Sequence, residues 1–199
     1  MFTGIIQSIG KVKGKQIKGG DLQFIIDSQF NNMSDVHLGD SIAMNGVCLT
    51  VTQIEDKNIS VDVSVETISI TDVATWQETS LLNLEKSMTL TDKMGGHMVS
   101  GHVDGMAECV SIDSSARSTI YQFKIPKKLD KYIVKKGSIT LSGVSLTVNE
   151  IEDCILSVNL IPHTLEQTNL GQLNIGDKVN VEIDTIARYV EKMLQNFQI

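Results

Sequence analysis

Read by hydrophobic spacing, the chain is a succession of short strands. From Ile59 apolar and polar positions alternate, with Val61, Val63 and Val65 on one side and Asp62 and Ser64 on the other. That period of two predicts a half-buried strand running through Thr67. Just upstream, DSIAMNGVCLTVTQIE reads as two strands around Asn45-Gly46, a residue pair that tolerates the positive φ of a tight hairpin. SVNLIPHT, from Ser157 to Thr164, gives a similar run interrupted by Pro162. Proline cannot donate to a ladder, so it ends or bulges the strand there. Runs of this kind recur roughly every 8–12 residues with turn residues between them, the spacing of small closed barrels. Only the last segment changes period. In DTIARYVEKMLQNF, residues Ile186, Tyr189, Val190, Met193, Leu194 and Phe197 recur three and four apart behind Asp184, a residue suited to cap a helix. Its apolar stripe either packs on the neighbouring barrel or meets another chain.

The strand pattern is written twice. NGVCLTVTQIED starts at Asn45 and SGVSLTVNEIED at Ser142, an offset of 142 − 45 = 97. At that offset Ser41 falls on Ser138, Thr50 on Thr147, Thr67 on Thr164, Glu85 on Glu182, and Gly4 on Gly101. One register held over that length indicates an internal duplication. The boundary is expected near residue 90, giving units 1–90 and 91–183 and a helix in 184–199, each unit an all-β barrel.

Composition narrows the function classes. The 199 residues carry a formal net charge of −7, which argues against a nucleic-acid surface. No apolar run reaches the roughly 18 residues of a membrane span. The opening MFTGIIQSIGKVKG has no basic stretch followed by a long apolar one, so it does not read as a signal peptide. Cys48, Cys109 and Cys154 are odd in number and at no metal-like spacing, which fits a reducing, cytoplasmic setting. GGHMVSGHVDG, Gly95 to Gly105, is dense in glycine and histidine. His97 and His102 are five apart, on opposite faces of a strand, so no shared metal site is expected. The stretch also lacks the Gly-Lys-Ser/Thr of a phosphate loop. A histidine there fits a hydrogen-bond partner or proton carrier. Cys48 reads either as a small buried apolar residue or as a functional thiol, and no local helix N-terminus or cation decides between them. Two similar barrels offer two similar pockets. Were both to take the same small molecule, proximity alone would be worth about 7–11 kcal/mol of the barrier between two copies.

Five motifs in order, MFTGII, NGVCLTV, GGHMVSGHVDG, SGVSLTV and LIPHTLEQT, resemble the alpha-chain type of riboflavin synthase over nearly the whole chain. The resemblance implies two tandem six-stranded Greek-key barrels plus a C-terminal helix, assembled as a homotrimer. It also implies the dismutation of two 6,7-dimethyl-8-ribityllumazine molecules to riboflavin and 5-amino-6-(ribitylamino)uracil, with no metal or cofactor. Carried over by position, the first pocket takes Gly4, Ile5, Ile6, Cys48, Leu49, Thr50, Asp62, Val63, Ser64, Val65, Glu66 and Thr67, beside Phe2 and Thr3. The second takes Gly101, His102, Val103, Ser145, Leu146, Thr147, Leu160, Ile161, Pro162, His163, Thr164 and Leu165. Lys136 matches a lysine that reaches a neighbour's ligand, and Ser41 a serine near the first pocket. His102 is the expected proton carrier, with Cys48, Ser145 and Ser41 as further catalytic candidates. Asp62 and Asn159 suit the ribityl hydroxyls. The chain departs from the family pattern at Ser142, where many members have Asp, at Val47, where some have a second cysteine, and at His163. Association with lumazine synthase is left open. Three alternatives are weighed. One is a lumazine-binding protein that holds ligand without turnover. The others are a flavin-binding reductase barrel, which would want a GxGxxG nucleotide domain, and a purely structural barrel.

Overall fold

A computed structural model describes residues 1–195. The first half contains β1 (Ser8–Lys18), β2 (Asp21–Asp27), β3 (Ser41–Met44), β4 (Val47–Glu55), β5 (Asn58–Val63), α1 (Val65–Ile70) and β6 (Leu81–Lys86). The second contains β7 (Gly105–Ser115), β8 (Ser118–Lys124), α2 (Lys127–Asp130), β9 (Ser138–Leu141), β10 (Val144–Glu152), β11 (Ile155–Leu160), α3 (Pro162–Gln167) and β12 (Lys178–Ile183). A final helix, α4, spans Thr185–Gln195. The strands close into two antiparallel barrels, β1-β2-β5-β4-β3-β6 and, read from β7, β7-β8-β11-β10-β9-β12. The step from β2 across to β3 while β5 fills the gap is the Greek-key connection expected from the resemblance.

Alternation sets which residues fill each barrel. Phe24, Ile26, Ile42, Met44, Ile59, Val61, Leu82 and Leu84 form the first core, and Phe123, Ile139, Leu141, Leu156, Val158 and Val181 the second. Bulges fall at matching places, Val12/Gly14 and Val51/Gln53 in one barrel and Cys109/Ser111 and Val148/Glu150 in the other. An extra residue at each bends its strand and lets a small sheet close on itself.

One element differs from the sequence expectation. The strand read through Thr67 stops at Val63, and Val65–Ile70 is helical. Ser64 caps it, its Oγ accepting from Thr67 N at 3.3 Å. A local hydroxyl cap satisfies the first turn, and Val65 points outward at 60% exposure instead of continuing the buried face. In the second half Leu160 ends its strand and Pro162 opens α3, where its missing N–H costs nothing. Asp184 does cap the last helix, accepting from Ile186 N at 2.9 Å. Phe197 and the rest of 196–199 lie outside the described residues.

The two Asn/Ser-Gly hairpin turns meet tip to tip between the barrels, where a Cβ on Gly46 would stand 2.8 Å from Gly143 N. Asn83 Nδ2 donates to Ser142 O and Asn180 Nδ2 to Asn45 O, each at 2.9 Å, so the seam is a pseudo-symmetric amide network. Asp72 sits in it, accepting from Asn45 and Asn180, and burial pushes its carboxyl pKa upward.

Candidate functional site

The segments that precede each barrel cross over to the other one. Phe2 and Val99 exchange backbone bonds of 2.8 and 3.0 Å. Gly4 O accepts from Ser145 N of the second barrel (2.8 Å), and Ile6 packs on that barrel's core. In the mirrored arrangement Gly101 O accepts from Cys48 N of the first barrel (2.9 Å), and Val103 packs on the first core. Two buried carboxylates hold the crossings. Glu85 accepts from Thr3 N and Oγ1 (both 2.7 Å) and Gly4 N (2.9 Å); Glu182 accepts from Ser100 N (2.7 Å), Ser100 Oγ (2.6 Å) and Gly101 N (2.9 Å). Burial raises both pKa values against the lowering effect of these bonds. A side chain cannot fit at Gly4 or Gly101, where a Cβ would lie 2.5 Å from Cβ of Ser145 or Cys48.

This corrects the grouping expected from the sequence. Gly4 O pairs with Ser145 and Gly101 O with Cys48, each on the opposite repeat's strand, while the N–H groups of Gly4 and Gly101 stay on the glutamate of their own repeat. The physical reason is the division of labour along each crossing. Its N–H groups bind the glutamate of its own barrel and its glycine carbonyl binds the strand end of the other, so one short segment ties the two together.

The first cluster gathers on the outer face of β3, β4 and β5. Ser41 pairs with Thr50 and Ala43 with Cys48, and Asp62 faces outward one strand further on. Leu49 and Val63 point into the core, so only their backbone is available at the surface. Ser64 caps α1, whose first turn carries Val65, Glu66 and Thr67. Cys48 is half-buried against Phe2 and Val99. His102 is exposed, and its ring makes no hydrogen bond among the described residues. Its carbonyl accepts from Arg188 Nη2 (3.0 Å), which also binds Asp104 (2.8 Å), so α4 braces this loop. Ser41 also borders a cavity of about 350 Å³ with Phe30, Asp40 and Lys86.

The second cluster repeats that geometry with different chemistry. Ser145 and Thr147 lie on β10 and Asn159 on β11, while Leu160 is in the core and Ile161 to Leu165 lead into and form α3. His163 is exposed. Thr140 pairs with Ser145 where Ala43 pairs with Cys48. Between them enters His97, a histidine whose spacing from His102 points to hydrogen bonding but not to this site. Its Nδ1 is 2.7 Å from Ser145 Oγ and its Nε2 3.2 Å from Thr140 Oγ1. Burial lowers its pKa below the ordinary 6.5, with Asp184 pulling the other way, so the ring is neutral near pH 7. A neutral imidazole bonded at both nitrogens can accept the serine proton at one while donating at the other. The available signal was the Gly95-Gly96 pair, because a Cβ on Gly96 would strike Thr3 O at 2.2 Å, so only glycine lets the chain bring His97 in. Lys136 stands apart from both clusters' bonds, exposed at φ 66 before β9, with its N–H on Val148 O (2.7 Å).

Comparison with known proteins agrees with this duplicated design. The lumazine binding domain family matches residues 3–87 and again 100–184. Riboflavin synthases from Actinobacillus pleuropneumoniae and Photobacterium leiognathi are 44% and 43% identical over 195 residues. Each alignment covers 98% of this chain, and 90% and 89% of theirs. That of Bacillus subtilis is 41% identical over 194 residues, covering 98% and 90%. Among solved structures, LumP complexed with riboflavin superposes with a TM-score of 0.85 at 28% identity, covering 92% of this chain and 99% of that one. LumP complexed with 6,7-dimethyl-8-(1'-D-ribityl) lumazine gives 0.83 over the same shares. The chain belongs to the riboflavin synthase family, built from two lumazine binding domains.

Proposed function

We propose that the chain is a riboflavin synthase that moves a four-carbon unit between two 6,7-dimethyl-8-ribityllumazine molecules, one per barrel, the units dividing near residue 90. The observation that carries it is one ligand-facing strand pattern built twice, with Cys48 at one copy and a Ser145–His97 pair at the other. The two products together hold the atoms of the two substrates, so no net oxidant is needed. The reaction requires a proton to leave a lumazine 7-methyl group and the carbon so activated to attack the partner ring. Ser145, with His97 ready to take a proton, serves that step on the second-barrel side. His102 and Cys48 face the other ligand, and Ser41, Thr50 and Asp62 its polar rim. Much of the catalysis comes from holding the two rings together, worth about 7–11 kcal/mol in favourable cases.

The chain acts as a homotrimer in this reading, its site formed by the first barrel of one copy and the second barrel of another, with Lys136 reaching a neighbour's ligand. In support, α4 leaves Ile186, Tyr189, Met193 and Leu194 about 60% exposed or more, apolar surface that a second copy covers. No described helix is long and apolar enough to cross a membrane. The reading places the enzyme in the cytoplasm, with lumazine synthase, which makes the substrate, as a candidate associate. Purified chain incubated with the lumazine is expected to form riboflavin with two substrates consumed per product. Ligand that binds and persists would instead mark a lumazine-holding protein such as LumP. A mass measurement beside the assay counts the copies.

A further inference from the structure

On the outer face of the first barrel the strand registers align one polar row. Ser41 pairs with Thr50 across β3 and β4. The β4–β5 register places Val51 opposite Val61, which sets Thr50 beside Asp62 one residue on. Asp62 pairs with Gln23 across β5 and β2, and Gln23 with Gln16 across β2 and β1. The end of the row is bonded through its side chains. Gln23 Nε2 donates to Asp62 Oδ1 at 2.7 Å, and Gln16 Nε2 donates to Gln23 Oε1. A carboxylate can only accept, so Asp62 fixes which way the Gln23 amide faces, and that in turn requires Gln16 to donate. Gln23 is only 8% exposed, whereas Asp62 lies open to solvent. The bond therefore runs from a held amide to the side chain that faces the ligand. The second barrel has the same row as Ser138, Thr147, Asn159, Ile120 and Asp113. Ile120 interrupts it, and an isoleucine side chain has no donor to hold Asn159 from behind.

We propose that Gln23 is a positioning residue of the first-barrel site. It pins one carboxylate oxygen of Asp62 and leaves the other aimed at the hydroxyls of the bound ligand's polyol chain. The second-barrel site lacks the brace, so the two sites grip the same side chain unequally. This rests on the lumazine reading above. A carboxylate that must be ordered on binding loses side-chain freedom at that moment, and one already held does not.

The test uses the full chain and two ligands, 6,7-dimethyl-8-ribityllumazine and 6,7,8-trimethyllumazine, which has the same ring without the polyol. The variant is Gln23→Ile, the residue the second barrel carries at this place. Fluorescence titration is expected to show one of the two sites per chain losing affinity for the ribityl ligand about five- to tenfold, the cost of ordering an unbraced Asp62 side chain on binding. Affinity for the trimethyl ligand stays as in the parent. In an Asp62→Ala background Gln23→Ile adds nothing, because its effect passes through Asp62. Equal weakening toward both ligands, or no weakening toward the ribityl one, overturns the proposal. Should Gln23→Ile bind neither ligand, Gln23→Met, unbranched and of similar length, decides: the same split between ligands supports the brace, and loss of both overturns it. A parent chain that binds neither lumazine refutes the function beneath, a result distinct from all of these.

Discussion

Gly46→Ala tests whether the barrel-to-barrel seam is as tight as its backbone implies. Gly46 has φ +80, and an added Cβ would stand 2.8 Å from Gly143 N and 3.1 Å from Gly143 Cα. Both atoms belong to backbone, so the turns must part. Restoring a normal contact of about 3.5 Å needs a shift of about 0.7 Å. The same shift stretches the seam bonds from Asn83 to Ser142 O and from Asn180 to Asn45 O, now 2.9 Å each, past hydrogen-bond reach. Each buried amide so stranded costs about 1–3 kcal/mol. The left-handed backbone adds about 1–2 kcal/mol for any non-glycine residue. Gly39 isolates that last effect: its φ is +90, but nothing lies within 4 Å of an added Cβ. Its counterpart Lys136 already carries a side chain at φ 66. Urea denaturation should therefore find Gly46→Ala at least about 2 kcal/mol less stable than Gly39→Ala, the stranded amides accounting for the difference. Equal destabilisation by the two would refute the close-seam argument.

His97→Gln is expected to lower kcat about a hundredfold or more while KM moves a few-fold, the pattern of a lost proton carrier; an unchanged kcat removes His97 from the chemistry. Its pKa is lowered, so the active neutral ring is present above that value and lost as pH falls through it. The parent's kcat should decline on the acid side, below pH 6.5, and the variant should lose that limb. Cys48→Ser copies the residue of the second barrel; it should fold, bind both lumazines and turn over more slowly, and parent-like turnover would show the thiol dispensable. Val190→Asp, on the exposed face of α4, should reduce the assembly mass measured by light scattering and abolish turnover with it; a full-size active assembly would rule out α4 as the contact.

The repeat made the barrels legible, because a period of two and a fixed offset both survive in sequence. Its faithful copies, such as Thr50 and Thr147, landed at matching strand positions. What the sequence could not show is the crossing. Gly4 and Gly101 align as equivalents, and their equivalence holds, but alignment is silent on which barrel a segment touches. That is fixed by Glu85 and Glu182, whose burial and three-donor geometry exist only in three dimensions. The α1 helix was hidden for a related reason. Val65 continues the alternation of Val61 and Val63, and one hydroxyl, that of Ser64 between Val63 and Val65, outweighs that pattern by capping the turn. His97 is hidden in the sequence because its near neighbour in spacing is His102, whereas its partners, Ser145 and Thr140, are more than forty residues away.

The differences between the halves are not scattered evenly over the duplicated frame. The bulges, the glutamates and the glycine carbonyl bonds match, and both cores stay predominantly apolar. Chemistry changes at the seam, Asn45 against Ser142 and Asp72 against Asn169, and on the outer rows, Cys48 against Ser145, Ala43 against Thr140, Gln23 against Ile120 and Asp62 against Asn159. Unlike side chains on the outer rows are what a reaction between two identical molecules demands. The frame must present both rings in equivalent poses so that they stack, and that constrains backbone. Yet one molecule must lose a proton and donate carbon while the other accepts it, and only unlike side chains can impose that choice on like substrates. In the proposed reaction the neutral His97 would supply a base at one pose, and among the described residues no imidazole bonds Cys48 at the other. Symmetry therefore belongs to binding and asymmetry to proton transfer, and under the proposed function it is Ser145 with His97, rather than either barrel as a whole, that would set the direction of the exchange.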